Sequence, residues 1–144
     1  MIIYLYGQPA SGKSTLAAEL EFKLGEDRFI VIDGDNLRRI TGNKDYSVSG
    51  RMENIKQAHT IAKFMYKTQG VGVIISMVSP FEALRRELQN SCIECYLIHL
   101  ESSRTKGLDH ICYEFEAGTP NLRLNTDQDL GGCVDAIIET IGVM

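Results

Sequence analysis

Residues 7–15 of the chain read Gly7-Gln8-Pro9-Ala10-Ser11-Gly12-Lys13-Ser14-Thr15. The apolar run Ile2–Tyr6 precedes this stretch, and an alternation of leucine and alanine typical of a helix follows it. The order of strand, glycine-bearing loop and helix, with four residues between Gly7 and Gly12, is typical of a phosphate-binding P-loop. Backbone N–H groups of such a loop surround an anion at the positive end of a helix. The stretch therefore predicts a nucleotide site, and a plain glycine turn is the alternative.

Individual residues of this loop have expected roles in binding a nucleotide. Gly7 and Gly12 supply backbone freedom. We expect Lys13 to reach the β- and γ-phosphates of a nucleoside triphosphate, and the Ser14 hydroxyl to complete the coordination of Mg²⁺. The loop predicts that a nucleotide binds, but it does not identify the group that receives the phosphate.

Length and composition indicate an ordinary globular chain. We expect one domain over residues 1–144, since the chain has 144 residues, 44% of them hydrophobic and 24% charged. The longest apolar run, around Val73–Val78, is too short to cross a bilayer, so we expect a cytoplasmic protein without a membrane partner. The net charge of −4 argues against a nucleic-acid partner held mainly through its phosphates.

The four cysteines are interpreted as buried or half-buried free thiols. Cys92 and Cys95 form a CxxC pattern at the start of an apolar run, where residues three apart on a strand face opposite sides of a sheet. A redox pair is therefore not favoured. Cys112 and Cys133 match no zinc-binding spacing.

Strand and helix patterns alternate along the chain, which predicts parallel strands joined by helical crossovers. The predicted strands are 2–6, 29–32, 71–77, 93–100 and 122–126. The predicted helices are 13–24, 51–67, one that begins after Ser79, and 130–143. Ser79 and Glu82 are interpreted as a capping box at the start of the third helix. The fold class is α/β, a three-layer arrangement with a mostly parallel sheet of about five strands covered by helices on both faces.

The chemistry is expected just beyond the carboxyl ends of the strands, where open α/β sheets bind ligands. Residues at those ends are 7–15, 33–39, 76–80 and 101–106. A carboxylate that takes a proton from a hydroxyl is a recurring part of phosphoryl transfer. For Asp33, the role of a turn or N-cap residue is an equal alternative, whereas for Asp35 we favour the functional role.

Four motifs in succession resemble those of the adenylylsulfate kinases, a family of P-loop kinases. They are the loop 7–15, Asp33-Gly34-Asp35-Asn36-Leu37-Arg38, Gly50-Arg51-Met52-Glu53-Asn54-Ile55, and Ile75-Ser76 with Ser79-Pro80. The resemblance covers roughly residues 1–90 and returns at Tyr113-Glu114 and Pro120–Thr126. It implies a P-loop kinase fold and a phosphotransferase that uses MgATP to phosphorylate the 3′-hydroxyl of adenosine 5′-phosphosulfate.

The resemblance also implies roles for individual residues. Lys13 and Asp35 would be catalytic, and Ser14 and Asp35 would hold Mg²⁺. The residues implied for ATP are Gly7, Pro9, Ala10, Ser11, Gly12, Lys13, Ser14 and Thr15. Those implied for the acceptor nucleotide are Asp35, Arg38, Tyr46, Arg51, Asn54 and Ser79. An anionic acceptor needs cations and a flat base needs an aromatic platform, although either arginine alone would be read as a solvated surface residue.

The chain departs from the family after the fourth strand. The family has an Arg-Asp-Pro-Lys-Gly-Leu-Tyr motif and a long basic lid there. Only Lys106-Gly107-Leu108 of the motif matches and more than ten lid residues are absent, so we expect a truncated lid around 101–118. Three functions stay open: a kinase for adenylyl sulfate or a similar nucleotide such as cytidine diphosphoramidate, a kinase for another hydroxyl acceptor including a polynucleotide end, and a nucleotide-binding module with weak or lost catalysis. Formation of a homodimer is also left open.

Several other polar residues are interpreted as structural or as surface residues. His59 and His99 have no partner visible in the sequence, so we expect both to be structural. Lys63 and Lys67 suggest the solvated face of a helix. The same holds for Arg85-Arg86, although an arginine there that reaches ligand phosphates is the alternative.

Overall fold

The computed structural model describes residues 1–106 and 111–142. Within these residues, five strands form one sheet in the order β2-β3-β1-β4-β5, with every neighbouring pair parallel. The strands are β1 (Ile2–Tyr6), β2 (Phe29–Asp33), β3 (Gly72–Met77), β4 (Cys95–Glu101) and β5 (Leu122–Asn125). The helices are α1 (Lys13–Leu24), α2 (Gly34–Thr41), α3 (Val48–Phe64), α4 (Glu82–Ser91) and α5 (Leu130–Ile141). The α/β fold with a parallel sheet is confirmed.

The central strand β1 separates two apolar cores. Successive side chains of a strand point to opposite faces. Ile2, Tyr4 and Tyr6 therefore pack in one core with residues of α2, α3 and α4. Ile3 and Leu5 pack in the other core with residues of α1 and α5. Helices thus cover both faces of the sheet, as the continuous apolar runs predict.

The parallel register brings the functional segments to one edge of the sheet. Tyr6 at the end of β1 is paired with Met77 of β3, and Asp33 at the end of β2 is paired with Ser76. The chain therefore leaves β1, β2 and β3 at neighbouring points. The loop 7–15, helix α2 and the segment 76–80 all start from this edge.

The sequence patterns miss α2. Asp33 is the N-cap of this helix and accepts a hydrogen bond from the Asn36 backbone N–H at 3.1 Å. The helix ends at Thr41, and its C-cap Gly42 has a left-handed φ of 76°. Leu37 is buried, but Ile40 is 83% exposed. The segment is only eight residues long and mostly polar, with Leu37 and Ile40 as its large apolar residues, so its apolar pattern gives no clear sequence signal.

The capping box predicted at Ser79 is wrong. Helix α4 begins at Glu82, and its N-cap residue Phe81 makes no side-chain cap bond; the Glu116 carboxylate accepts from the Glu82 N–H at 3.0 Å instead. Ser79 has a φ of 42°, and its hydroxyl lies 2.6 Å from the Tyr4 hydroxyl. A hydrogen bond to the central strand replaces the local cap that the sequence pattern favours.

Other boundaries shift by small amounts. Helix α3 begins at Val48, earlier than the predicted residue 51, because Ser47 caps it by accepting from the Gly50 N–H at 3.3 Å. The π-helical turn Met65–Gln69 follows α3. Strand β4 begins at Cys95, so Cys92 lies outside the strand, and all four cysteines are free. Val143, the predicted end of the last helix, lies outside the described residues. None of the described helices is long and apolar enough to cross a membrane.

Candidate active site

The loop between β1 and α1 requires glycine where the chain comes closest to β4. A Cβ atom on Gly7 would lie 2.5 Å from the Leu100 carbonyl oxygen. Gly12 has a left-handed φ of 91°. Ala10 also has a positive φ, 65°, although it carries a side chain, which costs roughly 1–2 kcal/mol. The loop therefore adopts a tight and locally strained conformation.

The Lys13 side chain is hydrogen-bonded to this loop. Its Nζ donates hydrogen bonds to the Gln8 carbonyl oxygen at 2.8 Å and to Ser11 Oγ at 3.3 Å. Burial lowers the pKa of Lys13 to about 8, although the carboxylates of Asp35 and Asp33 partly oppose this shift. The ammonium group is thus poorly hydrated and close to acidic groups, an environment in which an anionic phosphate would stabilise its charged form.

Asp33 has two contacts at once. One carboxylate oxygen caps α2, and the other accepts a hydrogen bond from Ser14 Oγ at 2.9 Å. The N-cap role and a role in the reaction are alternatives in the sequence. The observed geometry is compatible with both, because each role uses a different carboxylate oxygen. The carboxylate against the Ser14 hydroxyl is that of Asp33, while Asp35 lies in the first turn of α2.

A cavity of about 700 Å³ extends from the P-loop to the segment between α2 and α3. Ligand pockets have volumes of this order. The predicted residues that line it are Pro9, Ala10, Gly12, Lys13, Ser14, Thr15, Asp35, Arg38, Tyr46, Arg51, Asn54 and Ser79. Gly7 and Ser11 are buried and do not line it. The structure therefore brings together most of the residues that the sequence selects.

Two arginines surround the ring of Tyr46 on the far side of this cavity. The guanidinium carbon lies 4.0 Å from the ring centroid for Arg38 and 5.6 Å for Arg51. Arg38 Nη1 also donates to the Asn43 and Asp45 carbonyl oxygens at 3.2 and 3.0 Å. Arg51 Nε donates to the Tyr46 carbonyl oxygen at 3.0 Å. These bonds hold the segment around Tyr46 in place, and Tyr46 itself is 58% exposed.

Asn54 presents an unsatisfied polar atom beside the cavity. The residue is 4% exposed, and its Nδ2 approaches the Gly34 carbonyl oxygen at 3.4 Å. Its Oδ1 is buried without a hydrogen-bond partner among the described residues. A buried acceptor left in this state costs about 1–3 kcal/mol. A ligand hydroxyl or amine would remove that cost.

The interpretation of Arg85 as a solvated residue is wrong. Arg85 is 1% exposed, and its guanidinium carbon lies 4.0 Å from the centroid of the Tyr6 ring. Arg86 is partly exposed and pairs with Glu82 at 3.5 Å, as expected of a surface residue. No periodicity in the sequence distinguishes these two neighbouring arginines.

The second part of the predicted lid region, which begins at Ile111, is attached to the P-loop. The Gln8 side chain donates to the Cys112 carbonyl oxygen and accepts from the Cys112 N–H, each at 2.8 Å. The Tyr6 hydroxyl donates to the Ala117 carbonyl oxygen at 2.5 Å. Ile111 lines the cavity. Residues 107–110, including Gly107-Leu108 of the partial family match, lie outside the described residues.

Arg104 and Thr126 belong near the site but were not selected from the sequence. Thr126 Oγ1 donates to the Ser11 carbonyl oxygen at 2.6 Å, and Arg104 Nη2 donates to Thr126 Oγ1 at 2.9 Å. Both line a smaller cavity of about 270 Å³ beside Gly12. The position of Arg104 just after β4 was the available signal, because residues beyond strand ends face the ligand edge.

Comparison with known proteins gives consistent matches. The adenylylsulphate kinase family model matches residues 1–106. Cytidine diphosphoramidate kinase of Campylobacter jejuni is 35% identical over 116 residues, which cover 74% of this chain and 68% of that protein. Adenylyl-sulfate kinase of Prochlorococcus marinus is 32% identical over an alignment of 169 positions, gaps included, that covers 98% of this chain and 83% of that protein. The structure of the Mycobacterium tuberculosis APS kinase in complex with AMPPNP and APS has a similar fold, with a TM-score of 0.78 and 21% sequence identity. The match covers 98% of this chain and 96% of that one.

Proposed function

Because the chain belongs to the adenylylsulphate kinase family, we propose that it transfers the γ-phosphoryl group of ATP to the 3′-hydroxyl of adenosine 5′-phosphosulfate or a similar nucleotide. One observation carries the proposal. A single cavity has Lys13 and the P-loop at one end and the Arg38–Tyr46–Arg51 group at the other. Two nucleotides bound at these ends would meet beside Asp35.

The donor nucleotide is assigned to the P-loop. Backbone N–H groups and Lys13 would hold the β- and γ-phosphates, with Gly7, Pro9, Ala10, Ser11, Gly12, Ser14 and Thr15 shaping the loop. The smaller cavity beside Gly12 is the proposed place of the base. Arg104 there offers a planar cation against which a base can stack.

The oxygen atoms near Ser14 fit Mg²⁺. The Ser14 hydroxyl lies 2.9 Å from an Asp33 carboxylate oxygen, and Mg²⁺ binds one or two such groups together with water and phosphate oxygens. We assign Ser14 and Asp35 to the ion and give Asp33 the role of orienting the Ser14 hydroxyl. When bound, the ion neutralises charge that develops on the transferred phosphoryl group.

The acceptor nucleotide is assigned to the opposite end. Arg38 and Arg51 supply cations for an anionic tail, and the exposed ring of Tyr46 supplies a stacking surface. The free Asn54 Oδ1 would accept from a ligand hydroxyl or amine, and Ser79 completes the wall. Asp35 would accept the proton of the attacking hydroxyl, while Lys13 stabilises negative charge on the phosphates.

A second acceptor is supported by a specific observation. The relative that acts on cytidine diphosphoramidate matches 74% of the chain at 35% identity. Its acceptor also offers a base and an anionic tail. The same cations and the same aromatic platform would therefore bind it.

An ADP-release assay with a panel of acceptors tests the proposal. The panel contains adenylyl sulfate, cytidine diphosphoramidate and a 5′-hydroxyl oligonucleotide, and the Lys13→Ala variant serves as the control. We expect release of ADP with one of the two small nucleotides, none with the oligonucleotide, and none from Lys13→Ala. Binding of ATP without turnover on any acceptor would instead support a nucleotide-binding module.

We further propose that the kinase works in the cytoplasm, where ATP is available, and that it has no membrane or nucleic-acid partner. Light scattering during size-exclusion chromatography distinguishes a monomer from a homodimer. Rate measurements over a range of protein concentrations then show whether assembly matters for turnover, because only a dimer-dependent site loses specific activity on dilution.

A further inference from the structure

Three buried polar side chains form a continuous hydrogen-bond chain behind the cavity wall. The Tyr4 hydroxyl lies 2.6 Å from His59 Nε2 and 2.6 Å from Ser79 Oγ. His59, Tyr4 and Ser79 are 7%, 0% and 2% exposed. Of these three residues, Ser79 lines the cavity. An imidazole on α3 is thus connected through β1 to the wall of the proposed acceptor site.

The position of Ser79 is held from its other side as well. Its carbonyl oxygen accepts a hydrogen bond from Arg85 Nη1 at 2.6 Å. Its φ of 42° is rare for a residue with a side chain, and such conformations persist only where neighbouring groups hold them. The Ser79 oxygen is therefore fixed, and the direction of its hydroxyl proton is what can still vary.

The protons in the chain can be counted. Burial raises the pKa of Tyr4 well above its usual value, so its hydroxyl keeps one proton at neutral pH. Burial, together with the positive charge of Lys63 on the same helix, lowers the pKa of His59 to about 4, so the imidazole is neutral there. A neutral imidazole has one N–H, whose position depends on the hydrogen bonds of the ring.

Two directions of donation are consistent with these protons. In one, Ser79 donates to Tyr4 and Tyr4 donates to an unprotonated His59 Nε2, so the Ser79 proton is bonded to the Tyr4 oxygen and cannot reach a ligand. In the other, His59 Nε2–H donates to Tyr4 and Tyr4 donates to Ser79. Only the second direction leaves the Ser79 proton free for a ligand. A sulfate or phosphate oxygen can only accept hydrogen bonds, so an anionic ligand at this wall favours the second direction.

We propose that Tyr4 and His59 are positioning residues for the anionic tail of the acceptor, because their hydrogen-bond chain directs the Ser79 proton into the cavity. This inference rests on the proposed function, since it presumes that an anionic acceptor binds beside Ser79. The two residues act through Ser79 and do not touch the reacting atoms. The charged groups facing the chain are Lys63 on α3 and Arg85 on α4.

A double-mutant cycle tests whether Tyr4 acts through Ser79. Dissociation constants for adenylyl sulfate, and for cytidine diphosphoramidate, are measured by calorimetry on the wild type, Tyr4→Phe, Ser79→Ala and the double variant. We expect Tyr4→Phe to weaken the nucleotide that binds by about fivefold, the effect of one neutral hydrogen bond. It should leave the affinity for a non-hydrolysable ATP analogue unchanged. In the Ser79→Ala background, Tyr4→Phe should have no further effect.

Tyr6→Phe is the matched control. It removes another tyrosine hydroxyl of the same strand, one that bonds to the Ala117 carbonyl oxygen and not to Ser79. Its effect on acceptor affinity should be the same in the presence and absence of the Ser79 hydroxyl. Thermal unfolding of each variant identifies any general loss of structure.

Nitrogen-15 NMR of His59 gives an independent measurement on the unmodified protein. We expect the Nε2–H tautomer when the acceptor is bound, and no response of the His59 signals to the acceptor in Tyr4→Phe. Additive effects in the mutant cycle, or an Nδ1–H tautomer in the complex, would overturn this inference and leave the proposed function standing. If neither nucleotide binds the wild type, the proposed function fails and this inference fails with it.

Discussion

Separate replacement of Asp33 and Asp35 by asparagine should distinguish the two carboxylates of the cavity. Asparagine is as good an N-cap as aspartate, so Asp33→Asn should keep the bond from the Asn36 N–H that begins α2. We expect the free energy of unfolding to change by less than about 0.5 kcal/mol. Any larger effect of this variant on the reaction then reflects the lost charge.

The magnitude for Asp33 follows from its bond to Ser14. The 2.9 Å hydrogen bond ends on a carboxylate, and such bonds contribute about 1.5–3 kcal/mol compared with about 1 kcal/mol for a neutral pair. Asp33→Asn should therefore lose about 0.5–2 kcal/mol of the orientation of Ser14, which corresponds to roughly 2- to 30-fold. The Mg²⁺ concentration that gives half the maximal rate should rise by that factor, because Asp33 acts on Ser14. Asp35→Asn should lower kcat by about 100-fold or more even at saturating Mg²⁺, since it removes the proposed proton acceptor, and it should also raise the Mg²⁺ requirement because Asp35 is a proposed ligand of the ion.

Steady-state rates over a Mg²⁺ titration measure both quantities. Asp129→Asn is the control, because Asp129 is also an N-cap, accepts from the Gly132 N–H at 3.0 Å and lies outside the large cavity. It should behave like the wild type. A normal Mg²⁺ requirement in Asp33→Asn would refute the role assigned to that residue. A near-normal kcat in Asp35→Asn, with a 100-fold loss in Asp33→Asn, would show that Asp33 is the proton acceptor.

Three further predictions concern the P-loop. Lys13→Ala should abolish binding of MgATP in calorimetry. Because the pKa of Lys13 is lowered to about 8, the free wild-type protein loses this cation as pH rises through 8, and its affinity for MgATP should fall there; an affinity that stays constant to pH 9.5 would contradict this. Gly7→Ala places a Cβ 2.5 Å from the Leu100 carbonyl oxygen and should lower the free energy of unfolding in urea by more than about 2 kcal/mol. Gly42→Ala, where no atom lies within 4 Å, should cost only about 1 kcal/mol, and equal losses in the two variants would argue against the close approach at Gly7.

The sequence predicts elements well where local pattern and burial agree. The bounds of β1 and α1 are those of the predicted segments 2–6 and 13–24, since an uninterrupted apolar run, a P-loop and a glycine stop delimit them. The parallel sheet follows from the alternation of strands and helices. The family resemblance is likewise confirmed by the family model that matches residues 1–106.

Features that depend on contacts between distant segments were not predictable. Ser79 was given a local cap, yet its hydroxyl bonds to Tyr4, 75 positions away in the sequence. Arg85 and Arg86 look alike in the sequence, but only Arg85 turns into the core over Tyr6. Arg104 contacts the P-loop at the Ala10 carbonyl oxygen and also through Thr126, the residue that follows β5. Only the three-dimensional packing identifies such residues, because the periodicity of the sequence carries no information about contacts between distant segments.

The central claim, that acceptor and donor bind at opposite ends of one cavity, is tested most directly by calorimetry on Arg51→Ala. The variant removes the guanidinium group near Tyr46 and leaves the P-loop intact. Arginine bonds to oxyanions are charge-assisted, and loss of one costs about 1.5–3 kcal/mol, roughly 10- to 150-fold in the dissociation constant. We predict that adenylyl sulfate binds the wild type, that Arg51→Ala weakens it by that factor, and that affinity for a non-hydrolysable ATP analogue is unchanged. Equal binding of adenylyl sulfate by both proteins, or equal weakening of both ligands, would contradict the assignment of this end of the cavity to the acceptor.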